Sequence, residues 1–245
     1  MSTSPAGAAI DLAQVAAFAS LKGEFEAEGL SREELAVEVA WGARRGLDYL
    51  VKIGGCEAKS DLLFLERLGV TSVVAPMIES AFAMSKYMGA LPGNYFHEVG
   101  VTIETKDAVE RIEAILDAGT KLTNVTLGRS DLTASIGGAG VDEDETMDMV
   151  RTVGRAAKAR GLEVTMGGGV NVRTRDLLAR DAELAALLTS VETRKVVIPV
   201  AAFLESGTLE RAIQIELALL DLHTGPAACG LDKARARSSQ IRERL

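Results

Sequence analysis

Short apolar runs alternate along the chain with longer stretches of helical periodicity. The runs predict strands at Phe18–Phe25, Tyr49–Gly54, Ser72–Pro76, Gly100–Glu104, Asn124–Gly128, Glu163–Gly167 and Lys195–Pro199. Each is short and β-branched or apolar, as strands buried on both faces are. Between them the spacing predicts helices over Ser31–Ala43, Lys59–Leu68, Ser80–Met88, Lys106–Ala118, Asp142–Arg160, Thr174–Leu188 and Leu209–Leu220. Ser31, followed by Glu33 and Glu34, supplies a hydroxyl and early carboxylates for the free N–H groups of a helix start. Strand then helix, repeated without a Pro/Gly/Ser-rich linker, predicts right-handed βαβ units and a parallel sheet in one domain over residues 1–245.

Seven strands are counted, one short of a closed (β/α)8 TIM-type barrel. Two architectures fit: a barrel with an aberrant or missing first βα unit, or an open doubly wound sheet. Leu209–Leu245 is long for a last barrel helix. Ile213, Ile215, Leu217, Leu219 and Leu220 exceed what one packed face requires. This C-terminal helical extension is therefore predicted to pack on a neighbouring subunit of a homo-oligomer.

Composition narrows the function classes. At 245 residues, with 47% hydrophobic and 25% charged side chains, the chain can bury a sizeable core without staples. Its net charge of -8 argues against a nucleic-acid partner and against docking on an anionic membrane. Lys233–Arg244 is locally basic and reads as a solvated helix or a subunit contact. Two cysteines, Cys56 and Cys229, and two histidines, His97 and His223, make neither a disulfide framework nor a zinc site. No run approaches the roughly 18 apolar residues of a membrane span, and the first residues have no signal-peptide pattern, so a cytoplasmic protein is expected.

In parallel α/β proteins, functional side chains gather at the C-terminal ends of strands. Lys22, Glu24 and Glu26 alternate onto one face of the first strand. Lys52 ends the second, ahead of two glycines that let a ligand approach the backbone. Thr102 and Glu104 share a face at the end of the fourth. After the fifth, the turn Gly128-Arg129-Ser130 presents Asp131. Glu104 and Asp131 lie about one βα unit apart and are expected on the same rim. Two such carboxylates make a half-site for Mg²⁺ or Mn²⁺, whose other positions are filled by water and substrate oxygens. Gly167–Gly169 and Gly137–Gly140 can cradle an anion, but neither has dinucleotide or P-loop spacing.

Taken in order, Lys52-Ile-Gly-Gly-Cys-Glu-Ala58, Ala75-Pro-Met-Ile-Glu-Ser80, Ile103-Glu-Thr105 and Gly128-Arg-Ser-Asp-Leu132 resemble the motifs of a known family. It is the HpcH/HpaI aldolase and citrate lyase β-subunit family, of the phosphoenolpyruvate/pyruvate-binding barrel superfamily. The resemblance runs from about Leu21 to Gly138. It implies a (β/α)8-type barrel that binds Mg²⁺ or Mn²⁺ and stabilises the enolate of pyruvate or a related 2-oxo acid. Glu104 and Asp131 match the family's metal ligands. The backbone amides around Gly128–Asp131, through Arg129 and Ser130, match the turn that holds the substrate carboxylate, the Arg129 side chain is a candidate for a second anionic group, and Thr102 stands where many aldolases have glutamine. Lys52 falls where most members carry an arginine. Glu24 and Glu26 match an acidic pattern that a histidine follows in aldolases, a position that is Ala27 here.

The expected activity is thus a divalent-metal-dependent carbon–carbon lyase acting on a small 2-oxo acid, with Lys52 stabilising the enolate and Glu24 or Glu26 moving the proton. The alternatives are acyl-CoA thioester cleavage or phosphoenolpyruvate chemistry on the same barrel, or a barrel kept as a non-catalytic scaffold.

Overall fold

The computed structural model describes residues 15–25, 27–223 and 231–242. Eight strands close into a barrel in sequential order. They are β1 (Ser20–Glu24), β2 (Asp48–Lys52), β3 (Ser72–Ala75), β4 (Glu98–Ile103), β5 (Asn124–Gly128), β6 (Glu163–Gly167), β7 (Ser190–Glu192) and β8 (Val196–Pro199). The first βα unit is complete: β1 pairs in parallel with β2, and between them lies α1 (Arg32–Ala43), whose capping box joins Ser31 and Glu34. The uncounted strand is β7, three residues long.

The expectation of an all-parallel sheet fails at the far end of the chain. β1 to β7 pair in parallel, but β8 runs antiparallel to both β7 and β1. Only Thr193, Arg194 and Lys195 separate β7 from β8. A parallel crossover takes a dozen or more residues, so this link can only be a hairpin turn.

Around the barrel lie α2 (Lys59–Leu68), α3 (Ala81–Ala90), α4 (Lys106–Glu110), α5 (Ile112–Asp117), α6 (Arg129–Ser135), α7 (Asp144–Ala159), α8 (Val172–Arg180) and α9 (Ala182–Leu187). The helix predicted over Thr174–Leu188 is broken at Asp181. Its carboxylate accepts from the Leu184 amide at 2.8 Å, starting α9, and from Arg151 at 2.7 Å.

Register sorts the strand residues into two sets. Leu21, Val51, Val73, Val101, Val125, Leu127, Val164, Met166 and Val191 face outward into the main core beneath the helices. The inward set is far more polar than strands buried on both faces were expected to be. It runs through Lys22, Lys52, Thr102, Thr126, Thr165 and Glu192, with a small apolar plug of Leu50, Val74 and Val197.

Reversal of β8 redirects the rest of the chain. After α10 (Val200–Phe203), α11 (Thr208–His223) spans about 24 Å at 1.5 Å per residue and climbs back toward the mouth formed by the C-terminal ends of β1 to β7. The last helix, α12 (Leu231–Arg242), packs against α11 and buries Ile241. Ile213, Ile215, Leu217 and Leu219 are buried within the chain itself. The chain's own barrel and last helices cover these four positions, and Leu220 is half-buried.

Candidate active site

The mouth of the barrel holds a cleft of about 440 Å³. A second lobe of about 340 Å³ adjoins it and reaches toward Gly54, Gly55, Cys56, Pro76 and Met77. Glu24, Lys52, Glu104 and Asp131 line both lobes, so they stand where the two meet. Four residues predicted from separate strand ends thus share one cavity. Thr102, Gly128 and Ser130 line the larger lobe. Glu26 lies outside the described residues.

Glu104 is only 3% exposed and is held from two sides. Its Oε1 accepts from the Met77 amide at 3.0 Å, and its Oε2 accepts from Lys52 Nζ at 3.3 Å. Met77 has φ of 53°, alone among the described non-glycine residues in being positive, so the backbone is strained where it presents that amide. Lys52 Nζ also lies 3.9 Å from Glu24 Oε2. Gly128 is required beside this carboxylate: a Cβ there would stand 2.7 Å from Glu104 Oε2. Asp131, in the first turn of α6, is exposed to the cleft.

Glu104 and Asp131 fit a hard divalent cation, which needs one or two protein carboxylates and takes its other oxygens from water and substrate. Among the described residues no group of three or more His, Cys, Asp or Glu side chains gathers around a common point. That donor set suits magnesium or manganese and is unlike a zinc centre.

Arg129 corrects one expectation. Its guanidinium is fully buried and faces away from the cleft. It donates to Gly167 O at 3.1 Å, to Asp142 Oδ1 at 2.5 Å and to Thr174 Oγ1 at 3.3 Å. Burial pulls its pKa down against the opposing pull of Asp142. The side chain therefore ties the β5 turn to its neighbours and offers nothing to a substrate anion. Its backbone nitrogen does lie close to Gly168, one of two glycines with positive φ that line the cleft. A Cβ at Gly168 would stand 2.5 Å from the Ser130 nitrogen, so the glycine run lets two backbone segments meet beneath the cavity.

Two groups on the barrel wall were not expected. Lys22 pairs with Glu192 across the β1–β8–β7 side of the cleft. Burial works against the Lys22 charge, but Glu192 and Glu24 outweigh it and hold its pKa above the ordinary 10.5. Glu192 was missed because β7 is too short to show a period. Behind the hairpin turn, Lys195 Nζ donates to Glu28 Oε2 at 2.5 Å and to both Glu38 oxygens at 3.0 Å. Tyr49 and His223 complete the shell of Glu38, the imidazole Nε2 at 2.8 Å. No motif in the sequence located this node. Burial raises the Glu28 pKa despite Lys195. Glu38 is pulled the other way: hydrogen bonding from His223, the Lys195 charge and Tyr49 outweigh its burial and lower its pKa.

Residues 56–198 match the family model described as HpcH/HpaI aldolase/citrate lyase, which is more than half of the chain. The chain belongs to the HpcH/HpaI aldolase/citrate lyase family. Solved structures with the same fold include three from bacteria. An HpcH/HpaI aldolase/citrate lyase family protein of Burkholderia cenocepacia superposes with a TM-score of 0.64 at 16% identity, covering 83% of this chain and 88% of its own. An HpcH/HpaI aldolase of Desulfitobacterium hafniense gives 0.57 at 18%, covering 70% and 75%. The citrate lyase β subunit of M. tuberculosis, solved with oxaloacetate and magnesium, gives 0.51 at 20%, covering 74% and 82%. No curated protein matches the chain. Among the described residues of this HpcH/HpaI family member, no helix is long and apolar enough to cross a membrane.

Proposed function

We propose that this protein is a divalent-metal-dependent carbon–carbon lyase, or catalyst of the reverse condensation, working through the enolate of a pyruvate-like 2-oxo acid. The observation that carries this reading is the meeting of Glu24, Lys52, Glu104 and Asp131 at the junction of the two lobes. Magnesium seen with oxaloacetate in the M. tuberculosis β subunit supports it by analogy. The ion, held by Glu104 and Asp131, would supply Lewis-acid stabilisation of negative charge.

The chain's own groups account for the remaining steps. The β5 turn at Gly128–Ser130 and the glycine run beneath it receive the substrate carboxylate. Lys52 places its ammonium where charge gathers on the 2-oxo oxygen as the bond at C3 breaks and its electron pair moves into the enolate. Lysine is a point charge and not a planar fork, so it stabilises without fixing orientation as an arginine would. Glu24 is the acid/base: it removes a C3 proton from pyruvate, or the hydroxyl proton of an aldol in the cleavage direction. Ala27 leaves this part of the cleft without the histidine that aldolases carry.

Incubation with pyruvate and Mg²⁺ in D₂O, followed by proton NMR of the methyl group, tests the reading. Metal-dependent loss of the methyl signal, abolished by chelator and in Glu104→Gln, is expected. No exchange under conditions where Mn²⁺ binding is demonstrated would overturn pyruvate enolisation as the chemistry of this site.

A further inference from the structure

The cleft is lined by four cations and four carboxylates, which do not all pair; Asp131 is left to the proposed divalent cation. Lys22 is paired with Glu192, and Lys52 with Glu104 and Glu24. Two cations remain: Arg194, in the β7–β8 turn, and Arg237, on α12. Both are half-buried, and among the described residues neither guanidinium has a carboxylate partner. Both line the larger lobe and neither reaches the smaller one, so they lie to one side of the Glu104–Asp131 junction. An unpaired, partly desolvated guanidinium is costly without an anion to meet it, and two facing one cavity in an acidic chain compound that cost.

Each is held in place. The Glu216 carboxylate accepts from the Arg194 amide at 2.8 Å and the Lys195 amide at 3.4 Å, and Lys195 is anchored in turn on Glu28 and Glu38. On α12, Arg237 and Ile241 are one helical turn apart, so burial of Ile241 turns Arg237 and the neighbouring Gln240 onto the cleft. The two planar forks thus come from separately anchored elements, and each matches the geometry of a carboxylate.

We propose that Arg194 and Arg237, with Gln240 beside them, form a distal anion subsite that takes a second carboxylate on the far end of the substrate. The proposal rests on the 2-oxo acid reading of the metal end and adds that the substrate is a diacid. The C-terminal helix is then a specificity element of the site.

Two acids of equal chain length test it, 2-oxoglutarate and the neutral-ended 2-oxovalerate, titrated calorimetrically with Mn²⁺ present. Wild type should prefer 2-oxoglutarate by about 10-fold or more. In Arg194→Gln and in Arg237→Gln the ratio should fall to within about 3-fold. A variant that merely loosened the fold would weaken both acids together and leave the ratio standing. Equal affinities in wild type, or a preference that survives both substitutions, would overturn the subsite. Free coenzyme A bound through Arg237, with no preference for the diacid, would overturn the assignment to a substrate carboxylate. Failure of Mn²⁺ binding, read by water-proton relaxation, would instead sink the metal reading. The guanidinium pair is then read without metal: inorganic phosphate should raise the melting temperature of wild type and not of the double variant, and no effect on either would overturn the subsite as well.

Discussion

Lys52 Nζ lies 3.3 Å from Oε2 of Glu104, across the intervening strand β3. The ammonium is therefore a counter-charge to the carboxylate proposed to hold the cation, and the two cations compete for it. Removing the lysine should separate binding from chemistry. Lys52→Met is expected to keep or raise Mn²⁺ affinity while slowing pyruvate exchange by about 100-fold or more. Relaxation titration and NMR exchange on the same sample read the two effects. A parallel fall in both would show that Lys52 instead supports the metal site.

Gly128 leaves no room for a methyl group. In Gly128→Ala the new Cβ would press on the Glu104 side chain, 2.7 Å from Oε2 and 2.9 Å from its Cβ. Glu104 is buried and bonded at both oxygens, so it has little freedom to yield. Overpacking of this kind costs about 1–3 kcal/mol, which urea unfolding will read. Exchange should fall about 10-fold or more, because the displaced group is the candidate metal ligand.

Arg129 divides a structural role from a binding one. Arg129→Leu removes the buried partner of Asp142, whose carboxylate is itself 23% exposed, so the cost should be that of a lost charged hydrogen bond, about 1.5–3 kcal/mol. Urea denaturation should show that loss. Pyruvate affinity of the folded protein should change by less than about 3-fold, since the guanidinium faces away from the cleft. A large loss of affinity at unchanged stability would reverse the assignment.

Acid should act through Glu38. Its pKa is lower in the folded protein than the ordinary 4.5, so around that pH the unfolded chain binds more protons than the folded one. Stability is then fully present above 4.5 and is lost as pH falls through the depressed folded value. Glu28 has the opposite sign: its pKa is raised, so it destabilises as pH climbs through 4.5 and on to the folded value. In Glu38→Gln the loss of stability below pH 4.5 should be shallower than in wild type. Melting temperatures from pH 7 down to pH 3 measure the slope.

The barrel and the carboxylates at its mouth were legible because they depend on local pattern. β1 to β6 show as apolar runs, and Glu104 and Asp131 close two of them where chemistry collects. β7 was not legible, since three residues carry no period, and its absence from the count hid both Glu192 and the reversal of β8. Arg129 is charged and lies in a functional turn, so only the three-dimensional course of its side chain reveals that it points into the wall. The basic stretch Lys233–Arg244 read as a solvated helix or a subunit contact, and its place against the cleft was not legible, because that depends on β8 running backward. No neighbouring residue in the chain marks Arg194 or Arg237 as lining one cavity; they come to its wall only once the barrel has closed.

That reversal also governs when the cleft becomes whole. In a barrel of uniformly parallel strands, the last helix returns to the far end from the mouth. Here the residues 237–241 that wall the cleft are synthesised after every strand, and the barrel can close while its mouth still lacks one side.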